Sequence, residues 1–501
     1  MPLPASTNNE GNVSRSMTDE QTPLLPNDRD EETPLLPKKP PTALPWRQLS
    51  IILFLQLTEP LTSQVISPFT PQLIRDIGIT HGDESQVGFY VGLMQSLFFL
   101  TEACTVLHWS RFSDHIGRKP VILIGLLGLS MSMFAFGLSK TFWGLVLSRS
   151  LNGALNGNIG VMKSMVAEVT DASNIALAYS YTPISWSAGC TIGPMIGGSL
   201  SHPAKQLPRL FGSSEFLKEY PYFLPCAIPA TFSLIAWFVA YFFLQETLPH
   251  PEPVSEYLGF RRRSAPSDNS ATTSDTTQSH SSPPPLRTLL TKPVLISAGN
   301  YATLSLMDIA FRCIQPVWLS TPVSSGGLGF STARIGAILS VTGVLGGVFQ
   351  VGFFARIHNY CGSKRTFLAG VGAGFPLMLS LPVANHFARV DGEVSGRVWA
   401  VLCFQVAMLM VTGLSYGSVF IFISTAGPRS SLGAVNGLSQ MTVSVVRAIG
   451  PAIANSMFSL SMKKPLPVIG ANLVYFVLVG IVLLAVAAGS LLPSRAWNSS
   501  S

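Results

Sequence analysis

Seven ionisable side chains stand inside runs that are otherwise apolar: Glu59, Glu102, Arg149, Lys163, Asp308, Arg312 and Arg447. A charge held at the middle of a bilayer costs ~2.5–3.5 kcal/mol on insertion scales, so it persists where it faces water, a partner or a cavity. Polar residues recur around these charges at helical spacing. The stripes are Gln56, Glu59, Ser63 and Ser67; Arg149, Asn152, Asn156 and Lys163; Tyr301, Ser305, Asp308, Arg312 and Gln315; and Asn436, Gln440, Ser444 and Arg447. Residues three and four apart share one face of a helix. Four such stripes predict a water-filled cavity within a bundle. The rival is four satisfied structural networks, with Asp308 and Arg312 paired at i,i+4. Candidates for the cavity lining are Gln56, Asn152, Asn156, Tyr301, Arg312, Asn436, Gln440 and Arg447. Glu59 lies ~16 Å into its helix, near mid-bilayer, and can take and release a proton as water access alternates. Its other reading is a fixed counter-ion to Arg149 or Arg447. Asp308 is the second proton candidate, and Glu102 reads as structural.

The elements that must position these groups are membrane helices. The chain of 501 residues is 47% hydrophobic and 11% charged, against about 25% charged for soluble domains. Residues 120–139, 172–201, 220–245, 335–355, 398–428 and 465–494 contain no Asp, Glu, Lys or Arg, and roughly 20 apolar residues span a bilayer. Interrupted apolar segments fill the gaps, giving an all-α integral membrane fold of twelve helices. The net charge of +7 concentrates in Arg111–Lys119, Arg261–Arg263 and Arg356–Arg365. The positive-inside rule puts those segments, and with an even helix count both termini, in the cytosol.

The expected domains are a disordered tail over 1–45, a six-helix half over 46–249, a disordered linker over 250–292, a second six-helix half over 293–494 and a short tail over 495–501. The linker is rich in Ser, Thr, Pro and charge. An internal echo supports two halves, since Asp114 and Gly117 recur as Asn359 and Gly362 six helices later. Two halves joined by a cytosolic linker are the plan of repeat-built secondary transporters. The six cysteines show no CxxC spacing and read as small apolar residues. Neither a metal site nor a cofactor is expected. The absence of a Walker loop, a nucleophile elbow or HExxH argues against an enzyme or an ATP-driven pump.

"SRFSDHIGRKPVIL", Ser110–Leu123, resembles the signature between helices two and three of the major facilitator superfamily, matched here by Asp114, Gly117, Arg118 and Lys119. Physically it is a tight turn at Gly117 with a carboxylate near a helix end, a latch that steadies one conformation. "RSLNGALNG", Arg149–Gly157, resembles the family's helix-4 motif, whose arginine is linked to proton transfer. That resemblance makes Arg149 a proton-coupling candidate. Gly153 and Gly157 also form GxxxG, which packing alone explains. Gly189, Gly193, Pro194, Gly197 and Gly198 resemble the helix-5 signature of the drug:proton antiporter branch. Small residues there let helix 5 approach the opposite half, and Pro194 bends it.

"LTEPLTSQVISPFTPQL", "YPYFLPC", "FFLQETLP" and "AVNGLSQMTVSVVRAIGPAIANSMFS" look like fungal relatives of the plant zinc-induced facilitator-like transporters, a group including carriers of fungal metabolite clusters such as the psilocybin clusters of mushrooms. The resemblance implies proton-coupled antiport that exports or sequesters a small organic molecule by alternating access. A metal-chelate or organic-anion carrier of the same fold is the alternative, and a non-transporting nutrient sensor is the alternative of another class. The expected partners are a small-molecule substrate, protons and the bilayer; no nucleic acid is expected, and the chain reads as a monomer. Glu20 with Leu24–Leu25, and Glu31 with Leu35–Leu36, repeat an acidic dileucine pattern read by sorting adaptor complexes. The vacuolar and the plasma membrane both remain open as destinations.

Overall fold

The first leg of the bundle is broken twice by proline. In the computed structural model, which describes residues 42–171, 174–248, 290–427, 432–462, 469–494 and 497, Trp46–Gln56 (α1) stops before Thr58–Val65 (α2). Pro60 has no N–H for the Gln56 carbonyl, so the helix cannot run through. Pro68 and Pro71 do the same for Gln64 and Ser67, and Thr70–Ile77 (α3) leaves at 50° to the preceding helices.

The remaining legs of the first half are Glu84–Ile116 (α4), Arg118–Leu138 (α5), the pair Phe142–Leu155 (α6) and Asn158–Glu168 (α7), Ile175–Leu200 (α8), and Phe223–Phe243 (α12). Three short helices, Pro203–Gln206 (α9), Pro208–Phe211 (α10) and Glu215–Glu219 (α11), fill the connection before α12. The second half comprises Lys292–Ser320 (α13), Thr332–Cys361 (α14), Ser363–Gly372 (α15) continued by Gly374–Asp391 (α16), Gly396–Thr425 (α17), Leu432–Met462 (α18) and Ile469–Ser490 (α19). Among the described residues nine helices are long and apolar enough to cross a membrane, or ten with the bent α1–α3 group. The other two expected spans fall on α6–α7 and on α8.

Several expected boundaries move. The basic stretches 111–119 and 356–365 are not loops: α4 runs to Ile116 and α14 to Cys361, leaving Gly117 and Gly362 as the turns. Both glycines have positive φ, 103° and 79°, a region L side chains rarely adopt. The fourth span is broken at Asn156–Gly157, where the backbone of Gly157 presses on the Trp109 ring. The tail with its dileucine words, most of the 250–292 linker and the ends of the 495–501 tail lie outside the described residues.

The ends of the bundle differ. One carries Gly117, Gly362 and their neighbouring cations and is called the basic end; the other is the far end. A buried apolar cluster is shared by the halves, with Phe69, Val91 and Met94 from the first and Ile314, Trp318 and Leu319 from the second meeting at the far end, and it continues through the second half to Phe367. A second cluster, around Leu49, Ile52, Ile122, Met162 and Ala240, holds first-half residues alone and sits toward the basic end. Among the described residues the hydrogen bonds between halves run from Arg75 Nη2 to the Ser320 carbonyl (3.3 Å) and hydroxyl (3.4 Å), from the Ala452 N–H to Ser96 Oγ (2.9 Å) and from Ser187 Oγ to the Gly343 carbonyl (3.1 Å). All lie at mid-span or toward the far end. The hydrogen bonds between the halves thus lie at mid-span and the far end, and the region between the halves toward the basic end, which none of these bonds crosses, is here called the wedge.

Candidate functional site

The wedge between the halves contains the charges that interrupt the apolar runs. Glu59 enters from α2, in the stretch that Pro60 detaches from α1. The charges acting on it are Arg447 from α18, then Arg149 from α6 and Lys163 from α7. Glu102 on α4 feels Glu59 and the same three cations, and it is 8% exposed. Among the described residues neither glutamate makes an ion pair or a side-chain hydrogen bond. Sequence reading assigned Glu102 a structural role, but its placement joins it to the Glu59 cluster.

The Arg149 guanidinium is buried over the Phe98 ring, 4.3 Å from its centroid. Its Nε and one terminal nitrogen have no partner, and neither do the amide nitrogens of Asn152 and Asn156 on the same face of α6. Unpaired buried donors are costly, so the face is set to receive acceptors, either water or a ligand. Gln56 and Gln95 each bury an amide oxygen without a donor.

The second half presents a closed pair. Arg312 Nε donates to Asp308 Oδ1 at 2.8 Å and the Tyr416 hydroxyl donates to Asp308 Oδ2 at 3.0 Å. Asp308 is thereby fully engaged, while the Arg312 side chain stays 44% exposed to the wedge. Tyr301, buried, packs edge-on to Phe420 with centroids 5.3 Å apart and to Tyr416 at 6.3 Å. Asn436 is exposed and Gln440 half-buried toward the start of α18. Sequence spacing therefore names residues of two kinds: Glu59, Arg149 and Arg447 share one field, whereas Asp308 and Arg312 satisfy each other.

The glycine-rich face of α8 behaves differently from its expectation. A Cβ added at Gly189 would stand 2.6 Å from Pro60, and one at Gly193 would stand 3.0 Å from the Gln64–Val65 backbone. Gly197 likewise abuts Val65. These three serve packing against α2 within their own half. Only Gly198 meets the other half, with 2.8 Å between its added Cβ and Gly336 Cα. The glycines that admit α8 across the divide lie on α14: Gly336 against Pro194, Gly343 at 2.7 Å from the Cys190 carbonyl, and Gly347 against Ser187. Pro194 has no N–H for the Cys190 carbonyl, and Gly343 lets a neighbouring backbone cover that freed oxygen.

The Gly117 turn is held by carboxylates that sequence reading did not name. Glu246, beyond the end of α12, accepts from the N–H groups of Arg118 (2.9 Å) and Lys119 (3.0 Å) at the start of α5. Anions at helix N-termini are favoured by the free N–H groups and the dipole. The buried Arg118 bonds Ser113 Oγ (2.6 Å), Asp114 and Glu168 (2.9 Å). Thr247 closes the ring by donating to Glu168. Every partner belongs to the first half, so in this conformation the latch braces that half without touching the second.

Residues 52–451 match the family model of the Major Facilitator Superfamily. The major facilitator-type transporter psiT2 of Psilocybe cyanescens is 29% identical over 491 residues, covering 90% of both chains. Zinc induced facilitator-like 1 of Arabidopsis thaliana is 30% identical over 439 residues, covering 87% of this chain and 89% of its own. Efflux pump azaK of Aspergillus niger is 28% identical over 479 residues, covering 93% of each.

Proposed function

The chain belongs to the Major Facilitator Superfamily, and from that premise we propose that it exports or sequesters a small organic molecule by exchange for protons. It is a multi-pass membrane transporter and not an enzyme. The observation that carries the coupling is Glu59: a carboxylate at mid-span, in the field of three cations and, among the described residues, paired with none. The basic end is read as cytosolic from its cations, so the wedge faces the solute to be removed. An efflux pump among the relatives supports export. One proton crossing ~100 mV supplies ~2.3 kcal/mol, and one pH unit adds ~1.4. Together they sustain a several-hundred-fold gradient of a neutral solute.

The test is flux in vesicles under an imposed pH gradient. Glu59→Gln is expected to abolish proton-driven accumulation while leaving the purified protein monodisperse. Undiminished pH-driven flux in that variant would remove Glu59 from the mechanism. The tail's paired dileucine words favour routing to the vacuole. Replacing Leu24, Leu25, Leu35 and Leu36 with alanine in a fluorescent fusion is expected to move the signal to the plasma membrane.

A further inference from the structure

A groove of about 520 Å3 runs between α16 and α17 of the second half. Every residue lining it belongs to those two helices, and both lie in spans long and apolar enough to cross the membrane. Leu379, Val383 and Phe404 stand exposed along it, while Leu377, Leu381 and Leu402 of the same helices are buried in the bundle. The groove is therefore on the lipid side. Apart from Arg397 its one polar lining residue is Ser380, and that hydroxyl is satisfied. It donates to the Leu377 carbonyl (2.6 Å) and accepts from Gln405 Nε2 (3.0 Å). The walls thus offer apolar atoms and no open donor or acceptor for a polar solute.

The groove has a length and a charged end. From Phe387 to Pro376 it follows α16 for ~16 Å at 1.5 Å per residue. That is one leaflet of a hydrocarbon core ~30 Å thick. Its charged end is Arg397, in the first turn of α17 and so at the far end of the bundle. Two residues on, Trp399 is exposed, as aromatic residues are at the membrane–water boundary. Arg397 accordingly stands at headgroup level. Its guanidinium lies 5.5 Å from the Phe387 ring centroid, and Asp391 holds Nη2. Nε and Nη1 donate to nothing among the described residues. They leave open part of a planar fork of donors that suits a phosphate.

We infer that this groove is a phospholipid site, one acyl chain of the far-end leaflet lying between α16 and α17 with its phosphate on Arg397. An acyl chain supplies the dispersion contacts that the groove walls require on their open side. The transported solute is a poor occupant, because the first half contributes nothing to the lining.

The test uses the full chain in phosphatidylcholine vesicles containing a trace of phosphatidylcholine with a diazirine on one acyl chain. After irradiation, mass spectrometry maps the labelled residues. Leu379, Val383 and Phe404 are expected to be labelled at least about fivefold more than Leu483 and Leu484 on the exposed face of α19. Ala400→Trp, which fills the groove, and Arg397→Gln, which removes the phosphate contact, each bring that labelling down to the α19 level. A diacylglycerol with the same diazirine chain and no phosphate shows no enrichment in the unaltered chain. Size-exclusion profiles of the variants guard against misfolding, and the diacylglycerol comparison needs no variant. Equal labelling of the groove and α19 in the unaltered chain overturns the site, leaving ordinary boundary lipid. Enrichment that survives Ala400→Trp overturns the groove as its location. Enrichment that persists with diacylglycerol or in Arg397→Gln overturns the phosphate contact.

Discussion

The turns at Gly117 and Gly362 occupy matching places in the two halves and share a backbone, with φ 103° and ψ 161° against φ 79° and ψ 162°. Their surroundings have nothing in common. The first is crowded by Glu246, capped by it, and braced by Arg118 with Asp114 and Glu168. The second has open space around Gly362, with Lys364 donating to the Ser490 carbonyl (2.8 Å) and His358 bonded to Ser363 Oγ (2.8 Å). The same asymmetry recurs at mid-span, inverted. At mid-span Glu59 and Glu102 of the first half make no ion pair among the described residues, whereas Asp308 and Arg312 of the second form one. The half with the open titratable site is the half whose end is rigidly tied. In the exchange proposed above, the charged site that rearranges on protonation works against a fixed frame, and the carboxylate brace supplies that frame.

The largest break in this comparison is steric. A valine at Gly117 must adopt φ 103° and ψ 161°, a region essentially reserved for glycine, costing roughly 1–3 kcal/mol, and its Cβ would fall 2.5 Å from Glu246 Oε2. Displacing Glu246 also uncaps α5, a further ~0.5–2 kcal/mol. Gly362→Val incurs the backbone term alone, since nothing lies within 4 Å. Thermal unfolding of the purified variants is expected to show Gly117→Val losing about twice as much stability as Gly362→Val. Equal losses would mean that Glu246 holds nothing.

Charge removal tests the same contrast more gently. Arg118→Ala strands Glu168 beside a half-buried cluster. Breaking a buried pair costs ~3–5 kcal/mol, but Asp114 is 55% exposed and Glu168 29%, so a loss nearer ~2 kcal/mol is expected. Lys364→Ala removes one exposed bond to a carbonyl and is expected to cost ~0.5 kcal/mol or less. Unfolding midpoints for the two variants check the ranking.

The all-helical membrane fold was readable because burial in lipid is dictated by composition and period, both local properties. The broken first span was readable in part, since Pro60 has one possible effect on the Gln56 carbonyl. The break at Asn156–Gly157 was not, because GxxxG spacing already accounted for Gly157. The direction of the α8 glycines was hidden for a related reason: spacing marks a flat face without naming the helix that covers it, and α2 covers most of this one. Glu168 and Glu246 were invisible as latch residues, being 50 and 128 residues from Arg118 on no shared period. Glu102 was visible as a charge, and only the tertiary fold relates it to Glu59.

The smallest expected effect is the most informative about the repeat. Asn359 stands where the first half has Asp114, and Ser363 where it has Arg118. Asn359→Asp alone restores the acid without its arginine, and Asn359 is exposed, so a change within ~0.5 kcal/mol is expected. Adding Ser363→Arg supplies the i,i+4 partner, worth ~0.3–0.5 kcal/mol on a helix surface. It also removes the hydroxyl that His358 now bonds, and the double variant is expected to gain nothing over the wild type. If it instead stabilises the chain by more than ~1 kcal/mol, the second half contains a counterpart of Glu168 or Glu246 that this conformation leaves unused. The brace would then be a property of both halves, and the open end of Gly362 a feature of this one state.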